Sequence, residues 1–467
     1  MNLLQRIAVR LLFGTGPYES ANASPRRGSV PGAAPQDAKF DLTASVRSEL
    51  VRRSRYLLKN SGFFRELVGN MALYAVGDGI RPQALSPDPE WNKAAEDYFQ
   101  RWARRADITG RFNFPECQHL ACRAIDTDGE IFVHRVLDDT GLPKLQLIEA
   151  HRIGDDGEDE TIDGVKLDPV GRPTAYRLLD DDGGFQDLEA GFMLHIFEPD
   201  SPSQVRGAPT LQHSINHLLD EMELLALEKH AVKDNADVAR VLKSNRNDGD
   251  ESGDFQIQGT TTALEPSDPA TLQKIVGGKM VRLNPDEALE SFQSNRPSPT
   301  FTGFLEHLRR DSALGMIPFE FAADSSKVGG AGVRLVVAKA DRRFSLRQTL
   351  LIERMIRPTW LFVIGHAINS GKLSPIEDWT RVSFTTPRRI TVDAGREAQQ
   401  NRADVEMGLK TLAEHFAELG MDFTEEMEIR AQNAKALLEL AEKYQVPLEL
   451  LYRPSGGVSS LTPQPPA

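Results

Sequence analysis

The stretch from Pro209 to Leu242 constrains this chain more than any other. Leu211, Ile215, Leu218, Met222 and Leu225 are spaced 4, 3, 4 and 3, and Val232 follows one heptad after Leu225. That spacing lays an apolar seam along one face of a helix. At 1.5 Å per residue, roughly 34 residues give a rod on the order of 50 Å long. Such a rod exceeds an ordinary globular helix, so it must span a shaft or an interface. Asp220, Glu221, Glu223, Glu228 and Asp234 are expected to carry charge on its other faces.

Around that rod the hydrophobic periodicity changes several times, which places the chain in the α+β class. Residues 14–40 are rich in Gly, Pro, Ala and Ser and read as a mobile arm. Helical spacing covers about 43–76 and stops at GDGIRP (77–82); further helices are expected at 88–104 and 114–127. EIFVHRVLD (130–138) and PKLQLIEA (143–150) alternate as a hairpin, 164–180 reads as another, and FMLHIFEP (192–199) as one more strand. The acidic run between them reads as a solvated loop. Past the rod, 244–270 is polar and loop-like, and 278–292 reads as strand, turn, strand. A shorter helix at about 300–314 is followed by DSSKVGGAGVR (324–334) and then by a second long helix, kinked by Pro358. Helices at 396–419 and 425–443 precede a polar tail.

Length and charge narrow the classes. A 467-residue chain allows two to four domains, and no run of 18 apolar residues exists to cross a membrane. The opening MNLLQRIAVRLLF is interrupted by Arg6 and Arg10 where a secretory signal needs an unbroken apolar core, so it reads as a short amphipathic arm. Two cysteines, Cys117 and Cys122, point to a reducing compartment. A net charge of −13 is the wrong sign for a surface that grips nucleic acid everywhere.

DSSKVGGAGVR has the content of a phosphate-binding loop but not the order. A nucleotide-binding loop needs G-x-x-x-x-G-K-[ST], glycines first and a hydroxyl after the lysine. Here Lys327 precedes the glycines, and the segment joins two helices. Gly371-Lys372 fails as well, because Leu373 takes the hydroxyl position. In CQHLAC the thiols sit at i and i+5, about 140° apart on a helix, with no second ligand pair for zinc. The stretch 159–170 places Asp159, Asp163 and Gly164 as a calcium loop would, but position 12 is Val170 instead of a bidentate Glu. No HExxH or G-x-S-x-G occurs. The residues thus argue for no catalytic group, no cofactor and no metal.

In this order of elements, several stretches resemble the lambda family of tailed-phage portal proteins. They include SRYLLKNSGFFRELVGNMALYAVGDGIRPQ (54–83), DTDGEIFVHRV (126–136), LQLIEAHRI (145–153), GVKLDPVGRPTAYRLL (164–179) and VRGAPTLQHSINHLLDEMELLALEKHAVKDNADVARVL (205–242). Residues 278–326 and 379–412 continue the likeness. The family usually carries a Tyr-Ser-Ser-Ala-Arg-like segment where this chain has SSKVGGAGVR.

The resemblance implies a portal-type fold in a ring oligomer of about twelve subunits. Its parts would be a mobile arm (1–40), an α/β wing (41–208), a stem helix (209–243), a small α/β clip (244–299) and a second stem helix (300–314). A tunnel loop (315–333), the wing's spine helix and strand (334–394), a helical crown (395–445) and a disordered tail (446–467) complete it. Such a ring would sit at one vertex of the capsid, forming in the host bacterial cytoplasm, and pass double-stranded DNA during packaging and ejection. Its partners would be the terminase large subunit, a head–tail connector or adaptor, the major capsid protein and scaffold, with no membrane. Ser325, Ser326, Lys327, Gly329, Gly330, Gly332 and Arg334 would form the DNA-channel loop, with Lys327 and Arg334 touching phosphate without reading bases. The competing readings are an accessory of a nucleic-acid-processing enzyme and another head–tail adaptor.

Overall fold

The computed structural model describes residues 37–451, apart from 156–160, 181, 238–240, 245–286, 291–298, 391–393, 420 and 422. Most of the expected arm, most of the clip and the tail after 451 therefore lie outside the described residues.

After a one-turn helix (Ala38–Asp41), which overlaps the end of the expected arm, come two longer helices, α1 (Ala44–Asn60) and α2 (Gly62–Val76). The periodicity across 43–76 predicts one helix, but Ser61 adopts extended backbone and caps α2, accepting from the Phe64 N–H at 3.3 Å. Strand β1 (Arg81–Ala84) leads into α3 (Pro89–Ala103), capped by Asp88, and α4 (Phe114–Thr127). Asn113 and Glu116 form a reciprocal capping box at the start of α4. One side of this helical layer packs an aromatic cluster of Phe99, Trp102, Phe114 and Trp360, ring centroids 5.0–5.6 Å apart.

Strands β2 (Glu130–Leu137) and β3 (Pro143–Glu149) form the expected hairpin. β4 (Val165–Leu167), β5 (Pro173–Leu179) and β6 (Phe185–Glu189) make a second antiparallel sheet, and β7 (Met193–Phe197) joins β2 in the order β3-β2-β7. β6 escapes the sequence reading because only Leu188 of FQDLE is buried, so alternation is absent. The two sheets enclose a small core of Phe132, Ile148, Ile153, Val165, Tyr176, Leu188 and Met193.

The rod is shorter than the spacing implies. α5 runs Ile215–Asp237, 23 residues or about 35 Å. Residues 241–243, expected to end the helix, instead belong to β8 (Val241–Ser244), which pairs antiparallel with β9 (Glu287–Glu290). α6 (Pro299–Ala313) returns along α5. A single-turn helix (Phe319–Ala322) precedes the long α7 (Gly330–Leu351).

A five-residue π turn, Ile352–Ile356, connects α7 to α8 (Arg357–Asn369). The expected disturbance at Pro358 is thus taken up one turn earlier. The ring of Pro358 would collide with the carbonyl four residues back, and a widened turn makes room for it. β10 (Val382–Thr385) pairs with β1. α9 (Ala394–Glu406) and α10 (Leu412–Glu418) divide the one helix expected at 396–419, α11 (Phe423–Tyr444) follows, and a one-turn helix (Leu448–Leu451) ends the described fold. Among the described residues, no helix is long and apolar enough to cross a membrane.

One buried charge network, in which Arg47 and Arg206 both pair with Glu130 and Asp163, ties the sheets to α1 and to the segment that enters the rod. Arg206 donates to Glu130 Oε1 at 2.8 and 2.5 Å, to the Ala150 carbonyl at 2.9 Å and to the Ile153 carbonyl at 3.1 Å. Glu130 Oε2 accepts from the Gly207 N–H at 2.7 Å and meets His195 Nε2 at 2.8 Å. Asp163, expected in a solvated loop, is 5% exposed and pairs with Arg47, 116 residues away. Asp155 holds this bend by accepting from the N–H groups of Asp163 and Gly164. Gly129 and Gly207 cross so closely that a Cβ at Gly207 would lie 2.2 Å from the Gly129 carbonyl oxygen. The chain can enter the rod only where both side chains are hydrogen.

Candidate functional site

The site grows from the pairing of α5 with α6. Leu211, Ile215 and Leu218 of the seam are buried, and Leu308 of α6 packs among the buried residues. Glu221, expected on a charged outer face, is 4% exposed and takes a hydrogen bond from Arg309 at 2.7 Å. His217 and Asp311 approach to 3.4 Å across the same pair. Farther along, Leu227, Val232 and Phe304 stay exposed in a single protomer.

At the end of α6 the chain turns back. Met316, Ile317 and Phe319 are buried, and Phe319 packs on Phe63 of α2 with centroids 6.0 Å apart. This half of the connection is therefore anchored in the core. From Ala323 the backbone emerges: Asp324, Ser325, Ser326, Lys327 and Gly329 are exposed. Asp324 accepts from the Ser326 N–H at 2.9 Å, an Asx turn that starts a tight bend, and the Val328 N–H reaches Ser325 O at 3.1 Å. Gly329 caps α7 in extended backbone, its carbonyl accepting from Val333 at 3.0 Å.

The seven predicted loop residues thus divide. Ser325, Ser326, Lys327 and Gly329 lie in the exposed segment, whereas Gly330, Gly332 and Arg334 belong to the first turns of α7. The apolar spacing marks that helix only from Val333. Glycine costs about 1 kcal/mol in a helix interior, but first-turn N–H groups lack partners in any case, so the glycines are tolerated at this end.

Lys327 does not project alone. Its ammonium pairs with Glu306 of α6, and Arg310, one turn further on, also meets Glu306 at 3.1 Å. Arg310 contacts Glu320 as well and lies over the Phe319 ring at 5.0 Å. Hydrogen bonds from Lys327 and Arg310 hold the Glu306 carboxyl below its ordinary range. Glu306, Arg310 and Glu320 went unmarked in the sequence. The i,i+4 spacing of Glu306 and Arg310 was visible, but it reads as an ordinary helix pair.

Other candidate centres are structural. Cys117 and Cys122 are buried and unbridged, and burial pushes both thiols up to about 12. Among the described residues, no group of three or more His, Cys, Asp or Glu side chains is arranged to hold a metal ion.

Paired helices, a small strand pair at their far end and a turned-back loop at the near end belong to the α+β portal fold. A similar structure is the neck of an empty gene transfer agent particle computed with C6 symmetry. It is 14% identical, with a TM-score of 0.50 over 79% of this chain and 93% of that one. The neck of the native particle computed with C12 symmetry is also similar, at TM-score 0.49 and 14% identity over 79% and 94% of the two chains. So, more distantly, is an HK97 family phage portal protein from Corynebacterium diphtheriae (TM-score 0.36, 10% identity, 72% and 99% covered). The model of the lambda family of phage portal proteins matches residues 27–348, and the chain belongs to that family. Its members are structural, non-enzymatic components of phage heads.

Proposed function

We propose that the chain is one of about twelve identical subunits of a ring at a unique capsid vertex, through which double-stranded DNA is packaged and later ejected. The observation that carries this reading is the α5–α6 pair. Its seam is covered near Leu211–Leu218, yet Val232 farther along it is exposed in one protomer, as are Leu227 and Phe304 on other faces of the pair. Identical neighbours in a ring would cover them, and a heptad seam is suited to such packing. The family's parts then fall on this chain as wing (41–208), stems (209–243 and 300–314), clip (244–299), tunnel loop (315–333), spine (334–394) and crown (395–445). The clip would meet the terminase large subunit and later the head–tail connector, and the wing the capsid protein and scaffold.

Charge supports a conduit. Each subunit carries −13, so a ring is strongly negative. An acidic wall repels phosphate and keeps the duplex from sticking. Lys327 and Arg334 supply sequence-independent backbone contacts. A double variant, Lys327→Ala with Arg334→Ala, should impair packaging or DNA retention while rings assemble normally. Normal packaging by that variant would overturn the contact.

A further inference from the structure

We propose that Glu306 is the resting counter-ion of Lys327, and that residues 323–329 act as a strap with two positions: latched on α6 by this pair, and released when phosphates of a nucleic acid take the lysine. The inference rests on the conduit reading for its second half only. The latch itself follows from the geometry of one protomer.

The two halves of the α6–α7 connection are held differently. Residues 316–319 are fixed by burial and by Arg310, which spans Glu306 and Glu320 and covers Phe319. The half from Ala323 to Gly330 is exposed, apart from half-buried Val328. The side chain of Lys327 is 64% exposed, and the salt bridge it makes is to Glu306. Glu306 and Arg310 stand one turn apart, so the same α6 surface receives both the anchored and the exposed half.

An exposed lysine–carboxylate pair is weak and screened by salt. That weakness suits an exchangeable latch. Duplex DNA presents about one negative charge per 1.7 Å of axis, a far denser array than one carboxylate, and so competes for the ammonium. At rest Glu306 neutralises Lys327, leaving no bare cation there to trap DNA. When the lysine leaves, Glu306 keeps Arg310, so no stranded carboxylate opposes release. Lys327 would then contact DNA only while a duplex is present, and Glu306 acts as a positioning residue.

Zero-length carbodiimide coupling tests this, because it joins an amine to a carboxylate only when they touch. The full-length protein at low salt is treated with carbodiimide, with and without a short double-stranded DNA, and the Glu306–Lys327 cross-link is quantified by peptide mass spectrometry. Tryptic cleavage after Lys327 is followed in parallel. Expected are a cross-link in the free protein, its several-fold loss with duplex, and cleavage roughly two- to fivefold faster in Glu306→Gln, the range an exposed pair supports. Glu306→Asp should restore part of the protection. No cross-link, together with equal cleavage of wild type and Glu306→Gln, overturns the latch. A cross-link that duplex leaves undiminished overturns release by phosphate, and counts against the conduit reading without touching the ion pair.

Discussion

Arg347, near the C-terminal end of the long helix α7, donates to Asp126 Oδ1 at 2.8 Å at the end of α4, and both are buried. The same guanidinium reaches the Cys122 carbonyl at 3.2 Å and Glu198 at 3.2 Å, while Thr210 donates to Asp126 at 2.9 Å from the segment that enters the rod. One ion pair therefore ties the long helix, the helical layer and the root of α5 together.

Arg347→Met keeps the length of the side chain but leaves Asp126 without its cation. Removing one partner of a buried pair costs about 3–5 kcal/mol, to be read as a lower urea midpoint. Burial foremost pushes the Asp126 carboxyl upward. In the variant it can take a proton, so the deficit should shrink as pH is lowered. A midpoint equal to wild type at neutral pH contradicts this assignment.

The Glu130 network sets the acid limit of stability. Burial would raise the Glu130 carboxyl, but the charge of Arg206 and the hydrogen bonds of His195 and Arg206 outweigh it, and its pKa falls from 4.5 to about 2. A carboxylate depressed on folding contributes fully above 4.5, and that contribution drains away as pH falls toward 2. His195, lowered by burial, is held neutral against protonation, so stability also declines as pH falls below its ordinary 6.5. Thermal unfolding followed from pH 7 to 3 should show both losses. His195→Gln should remove the upper one and lessen the lower, because His195 also helps to hold Glu130 down.

The crossing of Gly129 and Gly207 admits no side chain. Gly207→Ala drives a methyl group into the Gly129 carbonyl, where both contacting groups are backbone and cannot swing away. Overpacking of this kind costs about 1–3 kcal/mol. Gly395→Ala, in α9 with open space around its Cβ, is the control. It should be neutral or stabilise by up to about 1 kcal/mol. Melting temperatures of the two variants separate a steric cost from a general effect of losing glycine.

Both thiols should be inert in the folded chain. Burial holds Cys117 and Cys122 up at about 12, so little thiolate exists at pH 8. Iodoacetamide should leave both unlabelled until denaturant is added, then modify both. Labelling of the native protein would show that α4 opens.

What could be read from the residues was what local chemistry decides. The helical spacing of Trp91, Ala95, Tyr98 and Trp102 announces α3, and alternation announces β2 and β3. Where a long-range partner decides, the chain is silent. Asp163 looks like one acid among many in a polar run, and only the folded chain brings Arg47 to it across 116 positions. The break at Ser61 is hidden because apolar spacing continues through it. The candidate loop was legible as a segment and in its lysine. Its partner was not, since Glu306 lies 21 residues back on another helix.

The ring is the central claim, and imaging the purified full-length protein by negative-stain electron microscopy tests it most directly. Closed rings of about twelve subunits with a central channel are expected in class averages. A protein that remains monomeric across salt and concentration would contradict it.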